Sequence, residues 1–375
     1  MAIFFVNIKA MSMPFAYYEN WALWPSALDR AIAIAHIFVI DDKWRTVFTA
    51  LYGAGLMLIA EKAQTTDTDG VGRLIARNGW LMLFGAAHFI LLWPGDILFA
   101  YGLTGLLALW ATQSSGRVLT VLIALVLPIG FAWTSLSEMA PAFLPEMLEV
   151  VEPQRWGSDP ELLQQEIEAA FAPLSTQWAE NAGLFIGFVV YYVGMSGNLV
   201  LALGVMLAGM GLYRAGLFRG VWPVRPTLLL AGLCLAAAWS LDFIQYQFTV
   251  DNEQSFAALS LLRPLGVADG LLGALGYACL ISALVRLRAP LGGFAAAGQM
   301  AFSNYIICTL IGVGLASPWG KGWYGDVSLA ELTVIAGLTA LLMMLWSLVW
   351  LRLFRFGPLE WLWRSLTDGR LRRLV

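Results

Sequence analysis

The chain has 375 residues, 59% of them hydrophobic and 13% charged, and a formal charge of −3 from 22 Lys and Arg against 25 Asp and Glu. Its mean hydropathy is +0.73. That much apolar sequence excludes a soluble domain and fits a bundle of spans of ~20 residues each; with no basic patch, nucleic acid is excluded as a partner.

The first apolar segment, residues 1–18, opens at once with Ala2-Ile3-Phe4-Phe5. It lacks both a charged leader and a small-residue cleavage site, so a removed signal peptide is not expected. Residues 31–40 are too short to span and read as an interfacial or re-entrant helix carrying His36. Asp41-Asp42-Lys43-Trp44-Arg45 then leads into a span over 46–60, where Gly53-Ala54-Gly55 lets a neighbouring backbone come close. A polar loop over 64–72, with Asp67 and Asp69, leads into a helical hairpin.

The hairpin, residues 73–113, has an apolar run broken by His88, a turn at Pro94-Gly95-Asp96 beside Trp93, and a return through Tyr101 to Trp110. Pro-Gly signals a turn, and Trp marks the level where a helix leaves lipid. An ionisable group below that level costs roughly 2.5 kcal/mol or more if charged and facing lipid, so His88 is expected to face protein or a water-filled cavity.

A span over 118–136 follows, then residues 138–181, which hold nine acids against the single base Arg155, and several prolines. This is an acidic loop inserted in the bundle, with a short helix expected over 160–172. Residues 182–218 break near Gly194-Met195-Ser196-Gly197 and read as a half-helix plus one span over 199–217. Further spans are expected over 226–248, 262–284, 295–317 and 329–353. The glycines at 266, 270, 273 and 276 mark close packing, and the basic, Trp-rich tail, 354–375, an amphipathic helix on an anionic leaflet. The fold class is therefore all-α: a polytopic bundle of about ten spans in one domain, with interfacial half-helices. Cys234, Cys279 and Cys308 lie in apolar runs, read as small hydrophobes, and have no metal spacing. Lys and Arg fall in alternate loops, which puts those loops, and both termini, in the cytoplasm.

Four ordered segments carry a resemblance. They are Lys43-Trp44-Arg45-Thr46 with Gly53-Ala54-Gly55; His88 to Leu98 with Tyr101; Gly298-Gln299-Met300-Ala301-Phe302-Ser303-Asn304-Tyr305; and Arg355-Phe356-Gly357-Pro358-Leu359-Glu360-Trp361. Together these resemble the YeiB-like family of bacterial inner-membrane proteins, which end in a domain of unknown function. The family opens with Asp-x-x-Arg-Gly before its first span, and this sequence starts after that point. More remotely, the family is similar to a clan of multi-span acyltransferases that includes the lysosomal enzyme acetylating heparan glucosamine, which uses an intramembrane His. The resemblance implies acyl transfer, with acyl-CoA or a lipid as donor, an envelope or small-molecule acceptor, the bilayer as partner, and a homodimer as one possible assembly.

His88 is the candidate general base or acyl carrier, against a structural His bonded across the bundle. Asp96 either orients that imidazole or caps the returning helix. Arg45 is a candidate ligand for a phosphate or carboxylate, the competing reading being an ion pair with Asp41 one helical turn earlier. Asp41, Trp93 and Tyr101 join it as candidate substrate-binding residues, and His36 is expected to be merely solvated. Deeper in the spans, Asp242, Asp269, Gln299 and Asn304 are further candidates, with Arg263 available as partner to either Asp. The runner-up function is a transporter whose polar pathway runs through Asp242, Asp269 and Arg263.

Overall fold

A computed structural model describes residues 2–65 and 70–374. Met1, Asp67 and Asp69 of the expected first segment and polar loop lie outside the described residues. Every regular element among the described residues is helical.

In chain order the bundle begins with α1 (Ala2–Ser12), α2 (Ala16–Glu19), α3 (Ala27–Val39) and α4 (Lys43–Thr65). The hairpin follows as α5 (Gly70–Leu91) and α6 (Leu98–Ala108), then α7 (Gly116–Phe143). The acidic stretch folds into α8 (Pro145–Trp156) and α9 (Pro160–Ala170), each begun by a proline whose fixed φ and missing N–H suit a first turn. Next come α10 (Leu174–Val190), α11 (Asn198–Arg214), α12 (Val224–Asp251), α13 (Phe256–Leu261) and α14 (Arg263–Arg286). The chain closes with α15 (Gly292–Gln299), α16 (Ala301–Ala316), α17 (Leu329–Leu353) and α18 (Pro358–Thr367).

Five helices, α5, α7, α12, α14 and α17, are long and apolar enough to cross a membrane. Two bent pairs raise the number to seven: α10 with α11, bent by 68°, and α15 with α16, bent by 86°. The remaining three of the ten expected spans are α1 and α6, which are short and apolar, and α4, whose ends carry charge. The span expected over 295–317 is thus an elbow rather than one helix. On α7 the exposed Val121, Leu125, Ile129 and Leu136 recur at helical spacing, as a lipid-facing stripe does.

Small residues set the crossings. A methyl on Gly53 would collide with the backbone of Met206, and one on Gly209 with that of Ala50, so α4 and α11 touch backbone to backbone. The glycine stripe of α14 does the same work against α4 and α12: side chains of Lys43 and Leu235 fill the space beside Gly273 and Gly276.

At the acidic-loop end, Glu19 joins Arg155 at 2.6 Å and Arg263 at 2.5 Å, and Arg155 also reaches Glu138 at 3.0 Å. Glu166 of α9 accepts from the Phe15 N–H at 2.9 Å and the Tyr324 hydroxyl at 3.0 Å. These bonds strap α8 and α9 across the bundle. Burial raises the Glu166 carboxyl above its ordinary range despite both bonds.

At the opposite end the tail helix differs from expectation. Its apolar face is turned to the bundle: Trp363 is buried, its ring lies 3.4 Å from the Arg77 guanidinium, and its indole N–H donates to the Arg77 carbonyl. Glu360, also buried, accepts from the N–H groups of Phe302 and Ser303 at 2.7 and 3.0 Å and from the Ser303 hydroxyl at 2.5 Å. Those amides are orphans of the first turn of α16, so the tail caps the elbow from outside. Glu360→Gln keeps the shape and removes the charge. The capping bonds then weaken by about 1–2 kcal/mol, which raises protease cleavage between α17 and α18 roughly 5–30-fold if the tail opens before it is cut. An unchanged cleavage rate would show that the carboxylate does not hold the elbow.

Candidate functional site

His88 stands on the last turn of α5 and is 2% exposed. Gly85, one turn earlier, has no side chain to keep α6 away: a methyl there would meet the Phe99 nitrogen and an Asp96 oxygen. The hairpin therefore closes tightly enough to bring Asp96 beside the ring. His88 Nδ1 lies 3.0 Å from Asp96 Oδ1, an ion-pair contact that is out of line for a straight hydrogen bond. The other carboxylate oxygen accepts the Phe99 N–H at 2.8 Å. One carboxylate oxygen thus caps the returning helix, and the other lies against the imidazole without a hydrogen bond.

The second ring nitrogen meets a residue that the sequence reading did not single out. His88 Nε2 is 3.0 Å from Oγ1 of Thr309 on α16, whose hydroxyl also lies 3.2 Å from the Tyr305 carbonyl. A carboxylate thus stands on the Nδ1 side of the ring and a hydroxyl on the Nε2 side. Carboxylate, imidazole and hydroxyl therefore stand in a row, drawn from the hairpin turn, α5 and α16. The Tyr305 ring packs 5.0 Å from the imidazole, and the residue is part-buried in the bundle.

Tyr305 is electrostatically coupled to Asp96 and Tyr101, and Tyr101 in turn to Arg45. The Tyr101 hydroxyl is 2.9 Å from Thr49 Oγ1 and donates to the Arg45 carbonyl at 3.2 Å, so α6 is pinned to the start of α4. The Arg45 and Asp42 side chains are 58% and 45% exposed. Arg45 pairs with Asp42 at 2.6 Å. The expected partner, Asp41, is held instead by Lys9 at 3.3 Å, because Asp42 adopts a left-handed backbone (φ 57°) and the register expected of a continuous helix is broken there.

The carboxylates of the spans form a separate cluster. Lys43 Nζ lies 3.0 Å from Asp242, closer still to Asp269, and donates to the Ile37 carbonyl at 2.9 Å. Lys43, not Arg263, is thus their partner; Arg263 is held by Glu19. Lys43 is fully buried, its stem laid against Gly273.

Other candidates fall away from both clusters. Gln299 is exposed at the end of α15. Asn304 faces α17, where it donates to Ser347 at 3.0 Å. Trp93 packs with Phe4 and Ile8 in an apolar group. His36 is buried rather than solvated, edge-on to Phe5. No group of His, Cys, Asp and Glu among the described residues fits a metal ion.

Residues 212–370 match the family model DUF418, a protein of unknown function. The chain is 28% identical to the uncharacterized protein YxaH of Bacillus subtilis (strain 168), over 98% of this chain and 92% of that one. It is also 28% identical to the uncharacterized protein YeiB of Escherichia coli (strain K12), over 98% of this chain and 93% of that one. No solved structure matches. With helices fit to cross a membrane, the chain is similar along almost its whole length to the uncharacterized proteins YxaH and YeiB, and its C-terminal part to the DUF418 family.

Proposed function

We propose that the chain is an acyltransferase-like enzyme of the bacterial inner membrane, with His88 as its general base and the exposed Arg45 at its substrate entry. The observation that carries this reading is the row Asp96–His88–Thr309, in which one nitrogen faces a carboxylate and the other a hydroxyl. The Thr309 hydroxyl marks where an acceptor hydroxyl or amine would bind. As the acceptor's oxygen or nitrogen forms its bond to the acyl carbon of a thioester or ester donor, its proton passes to His88 Nε2. The donor's carbon–sulfur or carbon–oxygen bond then breaks, and the proton moves from Nε2 to the departing sulfur or oxygen. Asp96 stabilises the imidazolium formed in between. Arg45 supplies a cation for a phosphate or carboxylate of either substrate. The remote likeness of the family to multi-span acyltransferases agrees with this chemistry. On the same reading the basic loops and both termini are cytoplasmic, and the acidic stretch lies outside.

Transport through Asp242, Asp269 and Arg263 is the weaker alternative, since Arg263 is tied into the Glu19 network and the two carboxylates are closed around Lys43. Mass spectrometry of envelope acyl groups decides between them, comparing cells without the gene and cells rescued with the wild-type protein. The expected result is an acylated species that disappears with the gene and returns with it. An envelope and small-molecule acyl profile indifferent to the gene would sink the enzyme reading.

A further inference from the structure

We propose that Lys43, Asp242 and Asp269 form a proton-binding site within the bundle, where one ammonium and two carboxylates together hold one exchangeable proton. This does not depend on the acyl-transfer reading, because the cluster lies apart from the His88 row.

The count of charges and donors carries the inference. The Lys43 ammonium donates to the Ile37 carbonyl and to Asp269 and forms an ion pair with Asp242 at 3.0 Å. None of the three side chains is more than 4% exposed. Fully ionised, the cluster would carry one uncompensated negative charge with almost no water to solvate it.

The groups facing it do not cancel that charge. Asp42 precedes Lys43 on α4 and is itself an acid, paired with Arg45. Tyr277 on α14 donates its hydroxyl to the Val39 carbonyl and stays a neutral phenol there. Arg263, at the head of α14, is bound to Glu19, and α3 presents only the backbone carbonyl of Ile37.

The geometry supplies the second observation. Asp242 and Asp269 converge on the single Lys43 Nζ, so two like charges are brought together where almost no water reaches, and one shared proton relieves their repulsion. Asp242 Oδ2, 3% exposed as a side chain and aimed into the cluster, has no in-line donor among the described residues, and a shared proton gives it one. Asp42, adjacent in sequence to Lys43, is half-exposed. Gain or loss of the proton therefore acts on the start of α4, two residues before Arg45.

The test is infrared spectroscopy of the full chain, labelled with carbon-13 aspartate, in phosphatidylcholine vesicles at neutral pH. The expected spectrum contains the carbonyl band of a protonated aspartic acid that shifts on deuterium exchange. Asp242→Asn and Asp269→Asn should each abolish it, while it survives in Asp29→Asn and Asp96→Asn, which remove the other buried aspartates. If neither cluster variant folds, survival of the band in both of those controls still assigns it to Asp242 or Asp269. Absence of any such band, its loss in a control, or its displacement by sodium ions overturns the proposal, the last by making the site one for a metal cation.

Discussion

Replacing His88 with Asn should cut acyl transfer by about 10²–10⁴-fold, the usual worth of a positioned proton-transfer group, and leave the bundle folded. Asn offers an amide in place of the imidazole, so Thr309 and Asp96 lose one good partner each, a loss of about 1–3 kcal/mol. Two further variants separate catalysis from packing. Asp96→Asn keeps an oxygen for the Phe99 N–H but no longer holds the Nδ1 proton or stabilises an imidazolium, so it should slow transfer less than His88→Asn does. Thr309→Val frees Nε2 and should retain most of the rate, because Thr309 stands where the acceptor binds and forms no bond to the acyl group. The measurement is single-turnover transfer from a labelled donor by each purified variant, alongside its thermal unfolding. Full activity in His88→Asn would make the imidazole structural, and inactivity of Thr309→Val would make that hydroxyl the nucleophile.

The largest loss of stability is expected at Lys43. Lys43→Met removes the only cation among the described residues that touches Asp242 and Asp269 and strands carboxylates in the bundle, which costs about 3–5 kcal/mol. The triple variant Lys43→Met, Asp242→Asn, Asp269→Asn removes all the charge and should recover most of that loss. Reversible unfolding in detergent with increasing denaturant reads both. A single variant as stable as wild type would mean that the carboxylates find another partner.

Much of the fold is legible because the bilayer leaves few choices. Apolar runs of the right length become helices, the Pro94-Gly95 turn closes the hairpin, and Gly53 and Gly273 mark contacts that the structure makes. The bends are harder to read. The elbow at Met300 has no proline, and its cause is Glu360, some sixty residues away, capping the amides of Phe302 and Ser303. Pairing across the bundle is harder still. His88 and Asp96 are near in sequence and were readable; Thr309, 221 residues from His88, is one hydroxyl among several in an apolar helix. Lys43 gave a signal in hindsight, since it shares a helical face with Val47 and Ala54, both buried. A lysine opening that stripe has to dip inward, yet nothing local says that α12 and α14 bring its counter-charges.

The family model covers residues 212–370, and its edges invite treatment of that stretch as a module. The two polar groupings are both stitched across its border: Lys43 and His88 come from one side, Asp242, Asp269 and Thr309 from the other. A fragment starting at residue 212 would hold two acids without their ammonium and a hydroxyl without its imidazole. The portion that family comparison isolates is thus half of each grouping, and the unit that can act is the one that spans the seam.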